Sequence, residues 1–148
     1  MPELVFFILN ILSLIILSAF FSSSETALTA VSEPRIHQLA LQGNKRAIII
    51  QKILAKKEKM ISSILIGNNL VNIIASVYAT SFAINFFGEY GLVVITVLLT
   101  IILVIFAEVI PKTYAYNHAD QTALLVAPII NFIIVILTPA TFITERFA

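Results

Sequence analysis

Three apolar runs constrain this chain more than anything else in it. Leu4 to Phe21 carries no charge over eighteen residues, Met60 to Phe87 is uncharged and longer, and Leu92 to Ile110 holds one ionisable group, Glu108. About twenty apolar residues in a row is the length at which a helix crosses a bilayer core. There every backbone N–H and C=O must find its partner inside the segment. Of the 148 residues, 59% are hydrophobic and 11% charged, with a mean hydropathy of +1.03. A soluble domain carries about a quarter charged residues, so the chain belongs to the membrane class. Its net charge of +1 gives no reason to expect a nucleic-acid partner. The absence of cysteine excludes disulfides, thiolate metal sites and Cys nucleophiles. The start, Met1-Pro2-Glu3-Leu4, lacks the positive flank of a signal peptide, so the first run is read as a helix that stays.

Charge sets the expected topology. Seven of the nine Lys and Arg residues lie between Glu25 and Lys59. There Ser32 with Pro34 opens one short helix, and Ile36, Leu39 and Ala40 form its apolar stripe. Gly43-Asn44 breaks it, and Ile49, Ile50, Ile53 and Leu54 resume a stripe beside the lysines. This predicts a helical hairpin lying on the membrane face with its bases towards lipid headgroups. The positive-inside rule then places the hairpin in the cytoplasm and the N-terminus outside. Phe87-Gly88-Glu89-Tyr90-Gly91 has no basic residue and reads as a tight outer turn. Thr122 to Thr144 is a fourth apolar stretch, broken by Pro128 and Pro139. By pattern alone it is either a span or a bent helix wrapped around the others. The chain stops at Glu145-Arg146-Phe147-Ala148 in mid-pattern, so a continuation is expected.

Polar groups inside the spans are the candidate site. A carboxylate at the edge of hydrocarbon normally faces a partner, a cavity or an ion. Three residues after Glu108, Pro111 has no N–H for the carbonyl of Ala107, so one turn offers a side-chain oxygen and a main-chain oxygen together. The plain alternative is a Glu that has reached headgroup level beside Lys112. In the second run, Asn68, Asn72 and Ser76 repeat every four residues with Asn69 at the stripe's edge. Polar groups of this kind also serve as interhelical contacts. Ser18 and Ser22 share one face of the first helix, where serines most often contact a neighbouring helix or bond back to the i−4 carbonyl. The alternating directions of the runs bring all three sets to a similar depth in the inner half of the membrane, with Gly67 allowing close backbone approach. Hydroxyl, carboxamide, carboxylate and main-chain oxygens suit Mg²⁺, Na⁺ or Ca²⁺ and disfavour zinc or copper. The histidines, His37 in the hairpin and His118 beyond Pro111, do not oppose a serine in a span. Ser–His catalysis is therefore not expected, and the chain is not read as an enzyme. Glu25 and Lys112 could pair, although charges at helix ends usually only end helices.

The run Ser18-Ala19-Phe20-Phe21-Ser22-Ser23-Ser24-Glu25-Thr26-Ala27-Leu28, the segment Gly67-Asn68-Asn69-Leu70-Val71-Asn72 and the segment Glu108-Val109-Ile110-Pro111-Lys112 resemble the membrane domain of the CorC and cyclin M (CNNM) magnesium transport family. The resemblance covers almost the whole chain in order and spacing. It implies an all-α membrane protein forming a single domain over 1–148. Transmembrane helices are expected at 4–24, 60–87 and 91–111, with a cytoplasmic-face helical hairpin at 32–58 and a juxtamembrane belt helix at 122–144. It implies a homodimer in the cell's inner (plasma) membrane, and Mg²⁺ export with Na⁺ as the candidate coupling ion. The ligands would be Ser22, Asn68, Asn72 and Glu108, with Ser18 and backbone oxygens, as at Gly67 and Ala107, nearby. Family members usually continue into cytoplasmic CBS domains that bind ATP. The rival expectation is a non-transporting membrane anchor, or a Mg²⁺ sensor, for a cytoplasmic regulatory domain.

Overall fold

A computed structural model of the chain describes residues 2–147. The first apolar run forms α1 (Pro2–Ala30), roughly 43 Å long at 1.5 Å per residue. Two short helices follow, α2 (Glu33–Leu41) and α3 (Lys45–Leu54), which pack on each other. Asn44 caps α3 by accepting from the backbone N–H groups of Arg46 and Ala47. Ser32 occupies the N-cap position of α2, but its hydroxyl makes no cap bond; its backbone N–H instead donates to Asp120 at 3.0 Å.

The second and third runs form one long element, α4 (Lys57–Ile102), continued by a π-helical turn (Leu103–Val109) and α5 (Ile110–Asn117). Its backbone is helical except at Gly88, where φ is 70° and ψ is −155°. That region is open essentially to glycine alone. Running straight, residues 57–117 would extend about 90 Å, twice the length of α1. Yet α1 packs against α4, the π turn and α5 alike. The chain therefore doubles back at Gly88, and the 57–87 and 89–117 arms both lie on α1. Gly91 makes the bend possible, because a Cβ there would fall 2.0 Å from that of Phe87.

The last run forms α6 (Ala119–Ile136), and α7 (Thr138–Phe147) follows it. Pro2–Ala30, Lys57–Asn117 and Ala119–Ile136 are each long and apolar enough to cross a membrane. The third of these includes part of the stretch expected as a belt, and more of it is buried than of the other two.

The buried core sits at the hairpin end. Leu28, Ile36, Ile50, Met60, Ile64 and Ile130 meet there with almost no exposure. Towards the Gly88 end, large apolar side chains face outward, among them Val93, Val94, Val97 and Leu98. An apolar surface this extensive needs lipid or protein against it. The molecule is an all-α membrane protein with no strand among its described residues.

Candidate cation site

The site grows from the face that α1 shares with the 57–87 arm. A small residue at 67 lets the two backbones close up, with the Phe21 ring lying over Gly67; a Cβ there would be 2.7 Å from the ring's Cζ. Antiparallel packing in this register puts Ser18 opposite the carboxamide stripe. Its Oγ lies 3.0 Å from Asn68 Oδ1 and 2.9 Å from Asn72 Oδ1. Ser18 is fully buried and the two asparagines are half-buried.

Those three oxygens share too few protons. A hydroxyl has one hydrogen and can donate to one carboxamide at a time. The other Oδ1 is then left facing the hydroxyl's own lone pairs. A cation, or an amide turned to present its N–H, relieves that surplus. One turn along α1, Ser22 Oγ is also fully buried and has no hydrogen-bond partner. Its neighbours behave otherwise: Ser23 and Ser24 both donate to the Phe20 carbonyl, at 3.1 and 2.6 Å. A buried hydroxyl without a partner costs about 1–3 kcal/mol, so Ser22 needs an explanation that its own helix does not give.

The rest of the stripe is quieter. Ser76 bonds back to the Asn72 carbonyl, and Asn69 is exposed. Ser63, which the sequence reading passed over, is the second fully buried hydroxyl without a partner. Its spacing of four from Gly67 and eight from Val71 puts it on the buried stripe of α4, and that periodicity is the signal that marks it.

Around Glu108 the backbone departs from expectation. The spacing predicts that Pro111 interrupts an ordinary α-helix and frees the carbonyl of Ala107. Instead the helix widens into a π turn first, and Ile110 N–H bonds to the Ile105 carbonyl, five residues back. The widened register and the missing N–H of Pro111 together leave carbonyl capacity in the 106–107 turn. Ala107 is buried where this turn packs on α1, and Glu108 is half-buried. No hydrogen bond or ion pair joins Glu108 to Ser18, Asn68 or Asn72. Among the described residues the one ion pair is Arg35–Asp120, at 3.7 Å, so Glu25 and Lys112 do not pair. No group of three or more His, Asp or Glu lies together among them either. Any cation held on the Ser18–Asn68–Asn72 face would therefore meet neutral oxygens there.

Residues 9–148 match the family described as the cyclin M transmembrane N-terminal domain. A UPF0053 protein of Haemophilus influenzae is 38% identical over 146 residues, covering 99% of this chain and 34% of the relative. The UPF0053 inner membrane protein YfjD of Escherichia coli is 41% identical over 107 residues, covering 72% of this chain and 25% of YfjD. A Haemophilus influenzae protein named polyamine export protein is 27% identical over 159 residues, covering 99% of this chain and 37% of that protein. The chain spans between a quarter and just over a third of the length of these relatives.

Proposed function

This chain belongs to the cyclin M transmembrane N-terminal domain family, and from that premise we propose that it is the ion-translocating domain of a Mg²⁺ exporter. The observation that supports this best is the Ser18–Asn68–Asn72 oxygen cluster beside the unpartnered Ser22 hydroxyl. In this reading Ser22, Asn68, Asn72 and Glu108 face the ion, Ser18 steadies the two carboxamides, and main-chain oxygens at Gly67 and Ala107 complete the shell. Mg²⁺ sheds its water reluctantly and prefers six oxygens at close range. A site with one carboxylate would leave it partly hydrated and weakly held, which suits cargo that must be released. Na⁺ is the coupling ion of the proposal. The hairpin end faces the cytoplasm and the N-terminus the outside, because the hairpin carries most of the bases. There α6 serves as a belt tied to the hairpin, two copies form the working unit, and the CBS domains follow.

The relative named for polyamine export gives a second reading, in which an organic ammonium donates hydrogen bonds to the same oxygens. The two separate on one titration. Calorimetry of the chain with Mg²⁺ is expected to show binding that Glu108→Ala or Asn72→Ala abolishes while circular dichroism stays helical. Spermidine should leave the Mg²⁺ isotherm unchanged. Binding that survives in both variants removes the site, and displacement by spermidine favours the organic cation. Mg²⁺ flux from reconstituted vesicles separates a transporter from a sensor, which would bind the ion and move none.

A further inference from the structure

The hairpin end carries a second polar feature that the cation site does not use. Between α3, the start of α4 and the α6–α7 junction lies a crevice of about 130 Å³. Lys52, Lys56 and Lys59 line one side; Asn131, Ile134 and Val135 line the other. Lys52, in the last turn of α3, and Lys56, in the turn that leads into α4, are exposed, and Lys59 is half-buried. None of the three has a carboxylate within 4.0 Å among the described residues, and the neighbouring Glu58 pairs with none of them. The other side continues into the outward apolar face of α6, with Phe132, Val135 and Ile136 all more than half exposed. The crevice is thus cationic at one wall and greasy at the other. It sits where α4 enters its apolar run.

Three like charges gathered without a counterion repel one another unless an anion joins them. A free phosphate would satisfy the lysines but leave the wall of Ile134 and Val135 against water. An anionic phospholipid satisfies both, its phosphate among the ammonium groups and its acyl chains along α6. Basic pockets between membrane helices on the cytoplasmic side bind headgroups in this manner. We propose that this crevice is a seat for one anionic phospholipid, held by Lys52, Lys56 and Lys59 and distinct from the diffuse attraction of the hairpin's other bases. The proposal rests on the membrane location of the chain and not on the identity of its cargo.

The test uses the unaltered chain and two charge-matched variants in neutral detergent, titrated with phosphatidylglycerol or phosphatidylcholine and followed by native mass spectrometry. One variant is Lys52→Gln/Lys56→Gln/Lys59→Gln. The other removes three bases outside the crevice, Arg35→Gln/Lys45→Gln/Lys57→Gln. Each Lys near an anionic surface contributes about five-fold to lipid affinity. The crevice variant is therefore expected to weaken phosphatidylglycerol retention by at least roughly ten-fold, and by clearly more than the control does. Inorganic phosphate should not displace the lipid. Equal loss in both variants would mean only a diffuse basic surface, and full displacement by phosphate a free-anion site; either overturns the proposal. If the crevice variant does not fold, a photoreactive phosphatidylglycerol on the unaltered chain decides the matter. Label concentrated at residues 52–59 and 131–138 supports the seat, and label spread along α1 and α4 overturns it.

Discussion

Gly67 and Phe21 form the contact on which the proposed site depends. With no side chain at 67, the ring lies against the α4 backbone and Ser18 comes within hydrogen-bond reach of both asparagines. Gly67→Val would drive a branched side chain into a buried ring, and overpacking of this kind costs about 1–3 kcal/mol. Thermal unfolding in detergent should show that loss, and a Phe21→Ala background should remove most of it, because the two positions are in direct contact. An equal penalty in both backgrounds would mean that the ring is not the obstacle. The carboxamide spacing and the two serines were legible in the sequence as a polar stripe and a polar face. What spacing could not show is that Ser18 reaches across while Ser22 is left without a partner. Both lie on one face of the same helix, and only the neighbour's register tells them apart.

At the scale of elements, the reversal at Gly88 and the π turn at 103–109 shape the second half of the chain. The glycine-bracketed turn was expected from residues 87–91, and the backbone does depart from the helix at Gly88. Gly88→Ala should cost about 1–3 kcal/mol, since alanine does not take that conformation readily. A denaturant series following helicity will show it as an earlier midpoint, and an unchanged midpoint would place the bend elsewhere. The π turn was not legible. Pro111 announces a lost hydrogen bond, but the pattern does not say whether the helix meets the loss with a kink or an extra residue in the preceding turn. Packing of Ala107 against α1 accompanies the second outcome.

Across the whole molecule, the hairpin and the last apolar helix are joined by a contact between residues nearly eighty positions apart. Pro128 has no N–H for the carbonyl of Leu124, four residues earlier in α6. The Arg46 guanidinium donates to that carbonyl at 3.0 Å and to the carbonyl of Leu125 at 3.2 Å. The tie is exposed, so its loss in Arg46→Leu should cost about 1 kcal/mol. Pro128→Ala returns a donor to Leu124, and in that background Arg46→Leu should cost markedly less. A double-mutant cycle read by thermal unfolding measures the difference, and strict additivity would show that the arginine does not answer the proline. The hairpin's bases are thus divided, with Arg46 holding α6, Arg35 facing Asp120 and the three crevice lysines without an ion pair among the described residues.

Length and apolarity alone determined that this chain is built of membrane helices, because unpaired backbone groups cannot remain in hydrocarbon and runs of this length leave few ways to satisfy them. The asparagine stripe, the serine face and the outer glycine turn were also written in local spacing, since helical periodicity fixes which side chains share a face. The meeting of Ser18 with Asn68 and Asn72, the widened turn before Pro111 and the answering of Leu124 by Arg46 were decided in three dimensions. Each depends on which groups from distant stretches arrive at the same depth, and a one-residue change in helix register would redirect them without altering any local pattern.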